Sequence, residues 1–159
     1  MTYRFDTRAI HAGQPNDDAT GAVTRLIDMG VEPFLLASTI EAVLAQRLVR
    51  RVCVQCKTAY VPVPDLLAQL GIARESIGNR QFFYGKGCPT CSQSGYRGRL
   101  GIYEWLRMTE AVRDLVTQRA PTLVIRQKAI EQGMRTLRDD GLRAIFDGHT
   151  SIEEVIKYT

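Results

Sequence analysis

No apolar run in the 159 residues approaches the roughly 18 that a membrane-spanning helix needs, so nothing in the sequence reads as such a helix. The opening, Met1-Thr-Tyr-Arg-Phe-Asp6, contains an acidic residue and no apolar core. It does not read as a signal peptide, and the cytoplasm is the expected compartment. Neither internal repeats nor low-complexity stretches occur, which sets repeat architectures aside. Charge of one sign is also scarce. The net charge is +4, from 21 basic and 17 acidic residues spread along the chain. Only Arg47-Leu-Val-Arg50-Arg51 and Tyr96-Arg97-Gly98-Arg99 are locally basic. Patches of that size suit a nucleic acid, an anionic lipid, a nucleotide, an acidic partner or plain solvation. No Gly-x-x-x-x-Gly-Lys-Ser/Thr phosphate cradle is present; the one Gly-Lys, Gly85-Lys86, is followed by Gly87-Cys88 and offers no magnesium-binding hydroxyl.

What is present is a composition of 45% hydrophobic and 24% charged residues, typical of a globular protein of one ordinary domain or two small ones. Cysteine is confined to four positions, Cys53-Val-Gln-Cys56 and Cys88-Pro-Thr-Cys91. Two Cys-x-x-Cys pairs supply four thiolates for one tetrahedral Zn²⁺, with no open position, so the metal is expected to be structural. Two disulfides would need an oxidising compartment, and a redox pair does not usually come doubled. The spacing between the pairs is longer than in a compact ribbon, which predicts a small insertion between them. Gly85, Gly87, Pro89, Gly95 and Gly98 give the second pair turn chemistry, while Arg50, Arg51, Lys57 and Lys86 lie near thiolates that carry charge.

Residues 1–22 are polar and rich in turn formers, and read as a loose arm. Val23, Leu26 and Ile27 then share a helical face up to Gly30, and Pro33 opens a second helix. Residues 43–53 suit a strand running into the first cysteine pair, with helix as the alternative. Tyr60-Val-Pro-Val-Pro64 is an extended linker, after which Asp65 is expected to cap a short helix ended by Gly71. Gln81–Tyr84 and Arg99–Met108 read as strands, the latter with Leu100, Ile102 and Glu104 on one face. The last third is helical: Thr109 caps a helix, Pro121 and Thr136 precede two more, and Ser151-Ile-Glu-Glu154 matches a capping box. These four helices are expected to form a small bundle. Trp105 is expected in the core, and His149 on the surface and not as a fifth ligand.

Two resemblances emerge. Phe5-Asp-Thr-Arg-Ala-Ile-His-Ala-Gly-Gln14 resembles the opening of the cystathionine γ-synthase family of pyridoxal-phosphate enzymes, ending before any catalytic part of that family. From about Gly21 to Thr159 the chain resembles the C-terminal part of the type II secretion and type IV pilus assembly ATPases. The matching phrases include Ala22-Val-Thr-Arg-Leu-Ile-Asp-Met-Gly30, Leu44-Ala-Gln-Arg-Leu-Val-Arg-Arg-Val-Cys-Val-Gln-Cys56, Gly87-Cys-Pro-Thr-Cys91, Gly95-Tyr-Arg-Gly-Arg-Leu-Gly-Ile-Tyr-Glu104 and Gly133-Met-Arg-Thr-Leu-Arg-Asp-Asp-Gly141. The tetracysteine insertion favours the secretion and assembly ATPases over the retraction relatives, with secretion ahead.

The resemblance implies an α/β fold: an α+β remnant of a RecA-like motor domain, a tetracysteine zinc insertion and a C-terminal helical bundle. The expected divisions are the arm at 1–22, the motor remnant at 23–52, the zinc subdomain with flanking strands at 53–108 and the bundle at 109–159. Cys53, Cys56, Cys88 and Cys91 are the expected zinc ligands. The parent family uses ATP and Mg²⁺, but the paired carboxylates that hold Mg²⁺ have no counterpart here, and the family's histidine motif falls on Gln14 or Pro15, three or four residues past His11. No catalytic or nucleotide-binding residue is therefore assigned. A truncated secretion ATPase is the expectation, joined near Asn16–Val23 by an in-frame deletion and docking on intact motor subunits or the inner-membrane platform. An active ATPase subunit completed by other chains and a zinc-ribbon nucleic-acid binder are the rival readings. Loss of the motor's central sheet would leave Leu26, Ile27, Phe34, Leu35, Ile40 and Leu44 without partners and residues 1–45 weakly ordered.

Overall fold

A computed structural model of the chain describes residues 18–73, 75 and 77–159. The arm, its resemblance and His11 fall almost wholly outside the described residues. Contacts divide the chain into two compact units, Met1–Ala45 with Glu104–Thr136, and Gln46–Tyr103 with Leu137–Thr159.

In the first unit, helix α1 (Ala19–Asp28) begins four residues before Val23, where the apolar face starts. The extra turn is held by polar groups that the pattern does not register. Asp18 is the N-cap, its carboxylate accepting from the Gly21 N–H at 2.7 Å and from the Thr20 hydroxyl at 2.8 Å. A buried carboxylate, Glu104, accepts the Ala19 N–H at 2.9 Å, and Arg126 ion-pairs with Asp18 and lies 4.0 Å from Glu104. Helix α2 (Pro33–Thr39) has proline at its first position, where a missing N–H costs nothing.

Val23, Ile27, Leu36 and Ala37 from these helices meet Leu106 and Met108, and Val112, Val116, Ile125 and Ala129. The last four come from α4 (Glu110–Thr117) and α5 (Thr122–Glu131). These apolar faces cover Leu26, Ile27 and Ile40, which the sequence reading leaves without partners; Phe34, Leu35 and Leu44 do stay exposed. Thr109 caps α4 as expected, accepting from the Val112 N–H. Helix α5 is apolar on both sides: Ile125 and Ala129 are buried, while Leu123, Val124 and Ile130 face outward.

Strands β1 (Ala42–Val52) and β4 (Tyr96–Arg107) pair as a two-stranded sheet, which resolves the helix-or-strand ambiguity of residues 43–53. Ile102, Glu104 and Leu106 alternate inward along β4. Trp105 points the other way and is 55% exposed, so the expected core placement is corrected: its position in the period-2 alternation outweighs its size.

In the second unit, β2 (Lys57–Tyr60) pairs antiparallel with β3 (Phe82–Gly85), with Lys57 opposite Gly85 and Tyr60 opposite Phe82. Between them lies α3 (Pro64–Leu70), the insertion that the cysteine spacing predicts. Its N-cap is Val63 with Pro64 at the first position; Asp65 sits in the first turn and does not cap. Leu67 and Leu70 pack with Phe82, and with Ile145, Ile152 and Val155 from α6 (Leu137–Phe146) and α7 (Ile152–Tyr158). Gly141 lets these two helices close: a Cβ there would lie 2.6 Å from Cγ1 of Val155. Among the C-terminal helices, α4 packs with α5 in the first unit and α6 with α7 in the second.

The expected capping box at α7 is not formed. Ser151 is the N-cap, but its Oγ lies 2.8 Å from the Tyr96 hydroxyl and caps nothing. Glu154 reaches instead to Arg50, accepting from its Nη2 at 2.6 Å, its Nε at 2.9 Å and its backbone N–H at 2.9 Å. The guanidinium also stacks on the Tyr96 ring at 4.0 Å, and Thr150 Oγ1 donates to the Arg50 carbonyl at 2.8 Å. A 2% exposed carboxylate gains more from a charged partner than from one backbone N–H, which explains the exchange.

Burial pulls the Glu154 carboxyl up, but the hydrogen bonds and charge of Arg50 outweigh it and hold the group below the ordinary carboxylate range. The clasp therefore contributes stability at neutral pH that is lost as pH falls below the usual glutamate value of about 4.3 and through the lowered one. Glu154→Gln should cost about 2 kcal/mol at pH 7, and the gap to wild type should close in acid. Urea unfolding across pH 3–7 checks both.

Candidate metal centre

The first cysteine pair follows directly on β1, and the second occupies a turn between β3 and β4 that includes a short 3₁₀ segment (Pro89–Cys91). Two hydrogen bonds bring the two segments together. Cys53 N–H donates to the Gly95 carbonyl at 2.9 Å, and Lys86 N–H donates to the Cys56 carbonyl at 3.1 Å. Within the pairs, Cys56 N–H donates to the Cys53 carbonyl at 3.2 Å and Cys91 N–H to the Cys88 carbonyl at 3.1 Å. The approach is possible because Gly85 and Gly95 face each other with no side chains between them. A Cβ on either would collide with the other's carbonyl oxygen, and Gly95 sits at φ +76°, the left-handed region.

The four Sγ atoms consequently lie within 4.8 Å of one another. Cys53 and Cys88 are 3.9 Å apart, Cys56 and Cys91 3.9 Å, and Cys88 and Cys91 3.6 Å. Cys53 and Cys91 are buried, whereas Cys56 and Cys88 are half-buried. No pair is bonded as a disulfide. Such a cluster of sulfur donors can hold one metal ion, and it is the only such group among the described residues.

The electrostatics of the sulfurs differ. Burial raises the Cys91 thiol, but N–H donors from Cys88 at 3.2 Å and Gly95 at 3.3 Å outweigh it and bring the group down to about 6. Burial pushes the Cys56 thiol up to about 12, against an opposing backbone hydrogen bond from Gly87.

Of the other residues singled out in the sequence, Arg51, Arg97, Arg99 and His149 are exposed, and the His149 carbonyl accepts from Val52 N–H at 2.9 Å. Gln46 Nε2 donates to the Tyr103 hydroxyl at 3.3 Å. Sequence reasoning placed Glu104 on one strand face with Leu100 and Ile102 but gave it no role, and it assigned Glu154 to a helix cap. Their true partners, Ala19 and Arg50, lie 85 and 104 residues away in sequence, beyond any local signal.

Gly95→Ala should cost about 2 kcal/mol, because it combines left-handed strain with a backbone collision, and should weaken metal uptake. Gly98→Ala has the strain of φ +80° but open space around the new methyl, so it should cost about 1 kcal/mol and leave uptake unchanged. Thermal melts with and without added metal separate the two variants.

The family described as "Type II/IV secretion system protein" matches residues 8–157, so the match extends N-terminal of Gly21, where the sequence reading begins the resemblance. The type IV pilus assembly ATPase PilB of Thermus thermophilus is 41% identical over 143 residues, covering 90% of this chain and 16% of that protein. The type II secretion system protein HxcR of Pseudomonas aeruginosa is 44% identical over 143 residues, covering 90% of this chain and 26% of the relative. Type II secretion system protein E of Aeromonas hydrophila is 41% identical over 141 residues, covering 89% and 28%. The chain spans less than a third of the length of these relatives. No helix among the described residues is long and apolar enough to cross a membrane. The chain belongs to the type II/IV secretion system protein family.

Proposed function

We propose that these residues form the zinc-bearing C-terminal portion of a type II secretion ATPase, a structural module that does not by itself bind or hydrolyse ATP. The observation that carries the reading is the convergence of four cysteine sulfurs. A zinc ion with bonds of about 2.3 Å to four thiolates places neighbouring sulfurs roughly 3.8 Å apart. The contacts Cys88–Cys91, Cys53–Cys88 and Cys56–Cys91, at 3.6, 3.9 and 3.9 Å, lie close to that spacing. When bound, the ion would neutralise and cross-link the thiolates, joining the end of β1 to the turn before β4 and replacing part of the core that so small a unit lacks.

The chain's own residues prepare that role. Gly85 and Gly95 bring the two turns together, two N–H groups hold the Cys91 sulfur, and Arg50 with Glu154 fixes the strand that leads to Cys53. Nucleotide chemistry is assigned to none of them. Phosphoryl transfer needs a backbone cradle, a lysine and Mg²⁺, and the sequence offers no Gly-x-x-x-x-Gly-Lys-Ser/Thr segment. In this reading the first unit derives from a RecA-like motor domain. The module docks on motor subunits at the cytoplasmic face of the inner-membrane platform. The names of the relatives support a motor that drives secretion or pilus assembly.

Purified protein should contain about one zinc per chain by elemental analysis, and alone it should neither titrate with Mg·ATP nor release phosphate. Less than about a tenth of an equivalent of zinc after purification without chelator would overturn the metal assignment. Turnover by the isolated chain would overturn the assignment of nucleotide chemistry to other segments.

A further inference from the structure

We propose that the second cysteine pair is a peroxide-responsive release for the metal: two-electron oxidation closes Cys88 and Cys91 into a disulfide and frees the ion. The inference rests on the zinc reading above. Three features of the cluster support it.

The first is access. Cys88 and Cys56 are the half-buried sulfurs, whereas Cys53 and Cys91 are buried, so a small oxidant reaches Cys88 or Cys56 first. The second is distance. Cys88 and Cys91 lie 3.6 Å apart, closer than the two cross-pair contacts at 3.9 Å, and both belong to one turn. That turn is already closed by Cys91 N–H and Gln93 N–H, both donating to the Cys88 carbonyl, at 3.1 and 3.0 Å. Bonding its two sulfurs adds little loop-closure cost.

The third feature is the stiffness of what surrounds the turn. A bond between the pairs, such as Cys53 to Cys88 or Cys56 to Cys91, would have to draw together segments already in backbone contact at Gly85 and Gly95. The Arg50–Glu154 clasp and the apolar cluster of Leu67, Phe82, Ile145 and Ile152 do not involve the sulfurs. They keep the rest of the unit folded when the ion leaves.

The chemistry balances with hydrogen peroxide as the oxidant. The Cys88 sulfur attacks one peroxide oxygen; the O–O bond breaks, hydroxide leaves and takes a proton to become water, and the sulfur is oxidised to a sulfenic acid. The Cys91 thiolate then attacks that sulfur. The S–S bond forms, the S–O bond breaks, and the departing hydroxide is protonated to a second water. Two electrons have passed from the two sulfurs to peroxide, and an ion left with two of its four thiolates is released.

The test uses the full chain as purified, with its zinc measured beforehand. Adding a few equivalents of peroxide should raise the rate of zinc release at least about tenfold, read with a chromogenic chelator. Peptide mapping after alkylation should find Cys88 linked to Cys91, with Cys53 and Cys56 alkylated. Dithiothreitol and fresh zinc should restore the starting metal content. Retention of zinc under these conditions, or release accompanied by a Cys53–Cys56 or cross-pair link, would overturn the proposal while leaving the structural zinc reading intact. Protein that carries no zinc before treatment would overturn both.

Discussion

The sulfur cluster depends on a place where two stretches of bare backbone touch. Gly85 at the end of β3 and Gly95 at the start of β4 approach more closely than any side chain would allow. The hydrogen bonds from Cys53 to Gly95 and from Lys86 to Cys56 follow from that contact. Without it the two cysteine pairs would remain two separate turns, each with only two sulfurs. The arrangement of the four sulfurs is thus set by backbone atoms outside the cluster.

Each unit also contains one buried glutamate with a defined task. Glu104 holds the first N–H of α1 and is balanced by Arg126; Glu154 grips both the side chain and the backbone of Arg50. In both cases a carboxylate secures an element distant in sequence, and in both the cost of burial is offset by an arginine. The Arg50 clasp is three residues from Cys53, so the C-terminal helix helps to fix the first sulfur.

Much of this was legible in the residues. The cysteine spacing identified the cluster and required an insertion, found as α3 between β2 and β3. Helix starts set by local chemistry, at Pro33 and Thr109, were readable because one residue's φ angle or hydroxyl decides them. What escaped were choices between a local and a distant partner. Ser151 and Glu154 satisfy a capping box in the sequence and form none, because Tyr96 and Arg50 compete successfully for the same oxygens. Ala19 begins a helix ahead of the apolar pattern because Glu104 is there to receive its N–H. Trp105 misled through its bulk, since alternation along β4 decides its direction.

Helix α5 has a bearing on how the protein behaves in the test tube. With Leu123, Val124 and Ile130 on its uncovered flank, it presents oily surface on two sides and conceals only one. A modest net charge supplies little long-range repulsion between copies, and salt screens what there is. Concentrated stocks in high salt will therefore turn cloudy sooner than dilute ones, and mild detergent or arginine in the buffer is the natural remedy.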